Sequence, residues 1–192
     1  MPKETFYNID NEKQERIKKV LKEEFEKKTF DQVSIKSIAE KLNIPRGSFY
    51  QYFESLEDAY FTVLARETSD IHYEFMKLLK KNSFDFTKAL LEYGNFLSDN
   101  LFKKETYNLY KNWYLGFSEN LEKKFREFKD KYKDYKDFGQ MEDIDRDLIL
   151  FVKAVVHNII YRNFYEQWDR NKFVKVYMKN VEWITKGIEG RD

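Results

Sequence analysis

Two prolines and six glycines are all that punctuate 192 residues, and this scarcity constrains the fold more than any other feature. A sheet of many strands needs a turn every few residues, and turns draw on Gly, Pro, Asn and Asp, so a breaker-poor chain points to long helices. The residues that carry the apolar pattern agree. From Asn11 onward Ile17, Val20, Leu21 and Phe25 recur at helical spacing within a Lys/Glu-rich sequence, the signature of a helix with one buried stripe. The preceding MPKETFYNID reads as a polar leader.

Phe30 and Val33, in the short connection 29–33, belong to the same core. Ser34 then caps a helix with Ile35, Ile38, Ala39 and Leu42 on one face. Asn43 tolerates the left-handed backbone of a helix end and Pro45 suits the first turn of a new one, so 42–45 is a tight helix-to-helix turn. A brief helix follows over 45–53. Ser55 with Asp58 opens a long helix running through Tyr60, Val63, Leu64, Ile71, Phe75 and Leu79.

Further helices are expected from about Ser83 to Leu101, from about Glu105 to Gly116, and over the charged run 122–138, where Phe125, Phe128, Tyr132 and Tyr135 interleave at helical spacing and Gly139 ends the pattern. The last two helices carry surplus apolar surface. Ile144, Leu148, Phe151, Val152, Val155 and Ile159 form one stripe with Ile149, Val156 and Ile160 beside it. Residues 171–187 carry Phe173, Val174, Tyr177, Val181 and Ile184. Helices apolar over so much of their circumference need cover from two sides, and a twofold pairing with a second copy provides it. Phe151, Val155, Ile159, Tyr177, Val181 and Ile184 are the expected homodimer interface. The whole is an all-α chain of about nine helices, with residues 1–53 as one domain and 54–192 as another.

Charge narrows the function. The 35 basic and 34 acidic residues leave a net +1, too little to hold nucleic acid by bulk charge, so any such binding is local. Residues 1–53 carry 11 Lys/Arg against 9 Asp/Glu, a small excess of the right sign. Zero Cys removes disulfides and thiolate metal sites. No apolar stretch reaches the roughly 18 residues of a membrane span and the leader lacks a signal-peptide core, so the expected setting is cytoplasmic, without a membrane partner. His72 and His157 fall in separate helices away from any zinc spacing, and no Gly-rich phosphate loop occurs. No cofactor, metal or catalytic residue is therefore expected. Asp143, Asp145 and Asp147 imitate the start of a calcium loop but lack its glycine, and read as acids at a helix N-terminus.

The most informative stretch is 34–53, SIKSIAEKLNIPRGSFYQYF. Two short helices joined by a tight turn make a helix-turn-helix, whose second helix enters the DNA major groove. Phe49 and Phe53 face inward, leaving Arg46, Gly47, Ser48, Tyr50, Gln51 and Tyr52 for the DNA. Arg46 suits guanine or a phosphate, Gln51 suits an adenine edge, and Gly47 admits a close backbone approach. The Ser48, Tyr50 and Tyr52 hydroxyls suit phosphates, as do Lys36 and the Ser34 end of the preceding helix.

These residues resemble the DNA-binding region of the TetR family of transcriptional regulators, whose pattern runs roughly T-x-x-x-I-A-x-x-A-G-V-S-x-G-x-L-Y-x-Y-F-x-S-K-E. Ile38-Ala39, Gly47-x-Phe49-Tyr50-x-Tyr52-Phe53 and Ser55-x-Glu57 carry the likeness. The departures are Leu42-Asn43 for Ala-Gly, Pro45 for a capping Ser, and Leu56 for a phosphate-binding Lys. The resemblance implies a three-helix DNA-binding domain followed by a helical ligand-binding and dimerisation domain. It also implies a double-stranded operator as partner and an apolar or aromatic effector, with Tyr93, Phe96, Tyr110, Trp113, Phe117, His157 and Asn158 as candidate pocket residues. A ligand-responsive repressor is the expected function; a chromosome-organising DNA-binding factor and a protein-binding adaptor are the alternatives.

Overall fold

The computed structural model describes residues 2–131 and 146–187. Tyr132, Tyr135, Gly139, Asp143, Ile144 and Asp145, which carry expectations above, lie outside the described residues. Every regular element among the described residues is helical: α1 (Glu4–Tyr7), α2 (Asn11–Lys27), a 3-10 turn (Phe30–Gln32), α3 (Ile35–Leu42), α4 (Arg46–Tyr52), α5 (Leu56–Glu67), α6 (Ile71–Lys81), α7 (Phe86–Leu101), α8 (Tyr107–Leu115), α9 (Glu119–Lys131), α10 (Arg146–Tyr165) and α11 (Arg170–Lys186). None is long and apolar enough to cross a membrane.

Among the described residues there are eleven α-helices where about nine were expected, for two local reasons. The leader is not merely polar: Phe6 is buried and anchors α1 on the core. The long helix expected from Ser55 to Leu79 is two helices, because Thr68, Ser69 and Asp70 each offer the backbone a side-chain alternative to helical bonding. Thr68 Oγ1 donates to the Leu64 carbonyl at 2.6 Å, and Asp70 Oδ1 accepts from the Tyr73 amide at 3.0 Å, ending α5 and starting α6. Ser34 and Ser55 cap α3 and α5 as their positions predict. Asp147 sits in the first turn of α10.

The chain forms two compact units, and the division does not follow a single cut after residue 53. The first holds residues up to Thr68 together with the stretch from Asn108 through α9; the second holds Ser69–Tyr107 with α10 and α11. In the first unit, α1 to α5 enclose a core in which Phe6, Ile17, Leu21, Phe25, Ile38, Phe49, Phe53 and Tyr60 are almost wholly buried, and Leu109 and Leu121 join it from α8 and α9. Asn112 of α8 donates to the Phe25 and Glu26 carbonyls at 2.8 and 2.9 Å, closing the end of α2.

Glu24, buried on α2, accepts from Ser37 Oγ at 2.8 Å and pairs with Lys41, so one carboxylate ties α2 to both turns of α3. Burial pushes its pKa up, but the Lys41 and Ser37 hydrogen bonds outweigh this and hold it below the usual glutamate value. A carboxylate depressed in the folded state stabilises fully above its unfolded pKa and loses that contribution as pH falls through the folded value. Glu24→Gln is therefore expected to cost about 1–2 kcal/mol at neutral pH and to make acid unfolding shallower. Chemical denaturation repeated between neutral pH and the carboxylate range checks both.

The second unit packs α7 against α6 and α11, with α10 along α11. Tyr177 lies closely over Gly94: a Cβ on Gly94 would stand 2.5 Å from Tyr177 Cε1. The absence of a side chain at 94 is what lets α11 approach α7 so closely. Tyr177 then donates to the Leu90 carbonyl at 2.8 Å and Tyr93 to the Ile71 carbonyl at 3.0 Å, so both buried hydroxyls are satisfied by backbone.

Candidate functional site

The turn between α3 and α4 has the geometry its residues predict. Asn43 is left-handed (φ 52°, ψ 49°), and the amides of Asn43 and Ile44 close the helix end on the Glu40 and Ala39 carbonyls at 3.1 and 3.0 Å. Pro45 precedes α4 and no side chain caps it, the consequence of proline where a serine hydroxyl is usual. Phe49 and Phe53 anchor the inner face of α4, 2% and 1% exposed, with ring centroids 5.4 Å apart. Anchoring by that face turns Arg46, Gly47, Tyr50 and Gln51 to solvent and leaves Ser48 half-buried. A Cβ on Gly47 would meet nothing within 4 Å, so the backbone there is open to a close-lying partner.

On α3, Lys36 is exposed and only loosely paired with Glu40 at 3.9 Å, while the exposed Ser34 uses its oxygen to accept from the Ser37 amide. Tyr52 is a correction. It is 5% exposed, its ring edge-on to Phe6 and covered by Lys13, so it belongs to the core rather than to the surface assigned to it. It follows Phe49 by three positions, which returns it to the same face of the helix.

The leader does work that sequence reading missed. The Lys3 amide donates to the Tyr52 carbonyl at 2.8 Å, Lys3 Nζ donates to the Tyr50 carbonyl at 2.8 Å, and Thr5 Oγ1 donates to the Gln51 carbonyl. Three successive carbonyls at the C-terminal end of α4, orphaned by the end of the helix, are thus satisfied by residues 3–5. Phe6 holds that clamp in place against Tyr52 and Phe53. The sequence signal was Phe6, with Ile9 three residues on, in a run otherwise rich in polar residues.

The expected ligand residues divide between the units. Tyr110, Trp113 and Phe117 lie in the first, where Trp113 joins an aromatic cluster with Tyr60, Phe117 and Phe125 at centroid separations of 6.0, 6.5 and 5.3 Å. Tyr93 and Phe96 lie in the second, stacked 6.2 Å apart. Asn158 is exposed on α10, because its helical phase points away from the Val152, Val156 and Ile159 core. Five residues further, Asn163 is wholly buried, and neither atom of its side-chain amide has a hydrogen-bond partner among the described residues. Asn163 lies four residues beyond Ile159 and seven beyond Val156, on the same buried stripe, so helical periodicity was the signal that could have found it. His157 meets His72: their Nε2 atoms are 2.7 Å apart, joining α6 to α10 across 85 residues of chain.

The dimer face also needs correction. Ile159, Tyr177 and Val181 are at most 5% exposed and fill the core of the second unit. Of the expected set Phe151 is exposed, and Val155 and Ile184 are half-buried. The apolar surface these helices do expose is Leu150, Phe151, Tyr161 and Tyr165 on α10 and Val174 and Met178 on α11. The surplus was visible in the sequence, but which stripe α10 and α11 spend on each other was not.

With this geometry in hand, comparison with known proteins is direct. Residues 18–58 match the family described as bacterial regulatory proteins, tetR family, and residues 86–187 match the tetracyclin repressor C-terminal domain. No curated protein matches the chain. Among solved structures it is similar to a TetR family transcriptional regulator from Chloroflexus aurantiacus J-10-FL, at 21% identity and a TM-score of 0.51, covering 97% of this chain and 98% of that one. It is also similar to the fatty acid degradation regulator FadR from Bacillus halodurans, at 14% identity and a TM-score of 0.53, covering 95% of this chain and 100% of that one. At these identities the two structures speak to the fold.

Proposed function

The chain belongs to the TetR family of bacterial regulatory proteins, and from that premise we propose that it is a ligand-responsive repressor that binds a pseudo-palindromic operator as a homodimer. The observation that carries the reading is α4: an amphipathic helix pinned by Phe49 and Phe53 on one side and bare of competing contacts at Gly47 on the other. Arg46 and Gln51 read base edges, while Ser48, Tyr50, Lys36 and Ser34 hold phosphates and set the register. Leu56 supplies no phosphate contact, so the load on Lys36 and Tyr50 is greater.

The exposed apolar residues Leu150, Phe151, Tyr161 and Tyr165 on α10 and Val174 and Met178 on α11 support self-association, since a twofold axis can close apolar surface on itself. Two recognition helices about 34 Å apart then enter successive major grooves of one face of the duplex. An apolar or aromatic effector, held within the second unit by residues among Tyr93, Phe96 and His157, acts by favouring a conformation in which that spacing is lost. The unpartnered Asn163 amide is the polar group such a ligand would satisfy. Selection of bound duplexes from a random library is expected to enrich an inverted repeat whose half-sites lie about one helical turn apart. Enrichment of single half-sites, or of none, overturns the dimeric reader.

A further inference from the structure

We propose that His72 and His157 form a two-imidazole site for a divalent transition-metal ion of the zinc, cobalt or nickel type. Zinc-like ions are held in proteins by Cys thiolates, His nitrogens and carboxylate oxygens, and imidazole suits zinc, nickel and their neighbours. This chain has no Cys and only two His. The fold brings both together from helices 85 positions apart, within one compact unit.

The arrangement is convergent rather than stacked. The Nε2 atoms are 2.7 Å apart while the ring centroids are 4.8 Å apart, so the rings approach nitrogen to nitrogen. Two imidazoles on one tetrahedral ion at about 2.0–2.1 Å place their nitrogens about 3.3 Å from each other, so the pair needs to open by only about 0.6 Å. Both rings are half-buried, on helices packed within the second unit.

The proton balance is simple. In the metal-free pair one Nε2 carries a hydrogen and donates to the other. Metal binding moves that hydrogen to the Nδ1 of the same ring, leaving two neutral imidazoles whose Nε2 lone pairs both face the ion. No net proton is lost. Water or other oxygen donors complete the coordination sphere.

Binding is claimed on the histidine pair alone; any effect of the ion on DNA affinity rests in addition on the ligand-responsive reading above. The experiment is titration of the full chain with Zn²⁺ and with Co²⁺, followed by calorimetry and by the imidazole nuclear magnetic resonances, which in this chain can only be those of His72 and His157. The expected result is one ion per chain with both imidazoles shifting together, and at least about a tenfold loss of affinity in His72→Ala and in His157→Ala. Unmoved imidazole signals in the wild-type chain, or a response from one ring only, overturn the site without recourse to a variant that fails to fold. Adding the ion to the selected operator complex separates the two claims. Metal binding with unchanged operator affinity leaves the site standing and removes its regulatory role. Metal binding by a chain that selects no DNA removes the regulator reading and keeps the site.

Discussion

Phe6→Ala is expected to lower the stability of the first unit by about 3–5 kcal/mol, the range for removing a large aromatic from a core, and to weaken operator binding although no DNA-facing side chain has changed. Phe6 is 1% exposed and its ring meets both Tyr52 and Phe53, with Lys18 Nζ 6.0 Å from its centroid. A four-residue helix has almost no stability of its own, because nucleation costs more than its few hydrogen bonds return. The leader is therefore held by Phe6, and through it the Lys3 and Thr5 donors are held on the Tyr50, Gln51 and Tyr52 carbonyls. Without the anchor the last turn of α4 loses its partners and Tyr50 and Gln51 lose their fixed direction. Thermal unfolding measures the first effect. Operator titration well below the new midpoint, where the chain is folded, measures the second; unchanged affinity there would show that α4 is positioned by Phe49 and Phe53 alone.

That dependence shows where sequence was legible and where it was not. The α3 turn and α4 were readable because each instruction is local: a serine cap, four apolar residues at helical spacing, an asparagine at the left-handed position and a proline after it. The same holds for the inward pair of Phe49 and Phe53. Tyr52 was misplaced although its i, i+3 spacing from Phe49 sets it on the inner face of α4; what covers it there is Phe6, 46 residues earlier, which no local pattern announces. Ile159, Tyr177 and Val181 failed for a related reason. An apolar residue on a helix with two apolar stripes must face something, but whether it faces its own unit or a second copy is decided by packing between α7, α10 and α11, and in part by the missing side chain of Gly94. The His72 and His157 contact is the extreme case, since two residues 85 apart carry no spacing to read. Local chemistry announces itself in sequence; chemistry assembled between distant helices does not.

Arg46→Ala is expected to cost about 1–3 kcal/mol at each half-site if Arg46 makes a bidentate contact to guanine, hence about 2–6 kcal/mol for the dimer, a loss between tens and roughly twenty thousand fold in operator affinity. The fold should be indifferent, because Arg46 is exposed at the first turn of α4 and no side chain caps that end. Tyr50→Phe makes the contrast. It removes one hydroxyl from a side chain that is 42% exposed and keeps the ring against Phe49, so it should weaken binding by a smaller amount and equally for every duplex. Salt and sequence together assign the two roles. A base-reading Arg46 loses discrimination at one base pair per half-site, so the variant tolerates substitutions there that the wild-type rejects. A phosphate-binding Arg46 instead loses affinity uniformly, and the salt dependence falls by about one counterion per contact. Because both half-sites carry the same change, a loss of base discrimination appears twice in the inverted repeat, at positions related by its twofold axis, whereas the phosphate signature is a salt dependence lowered by one contact in each half-site. A loss at only one of them is incompatible with a symmetric dimer.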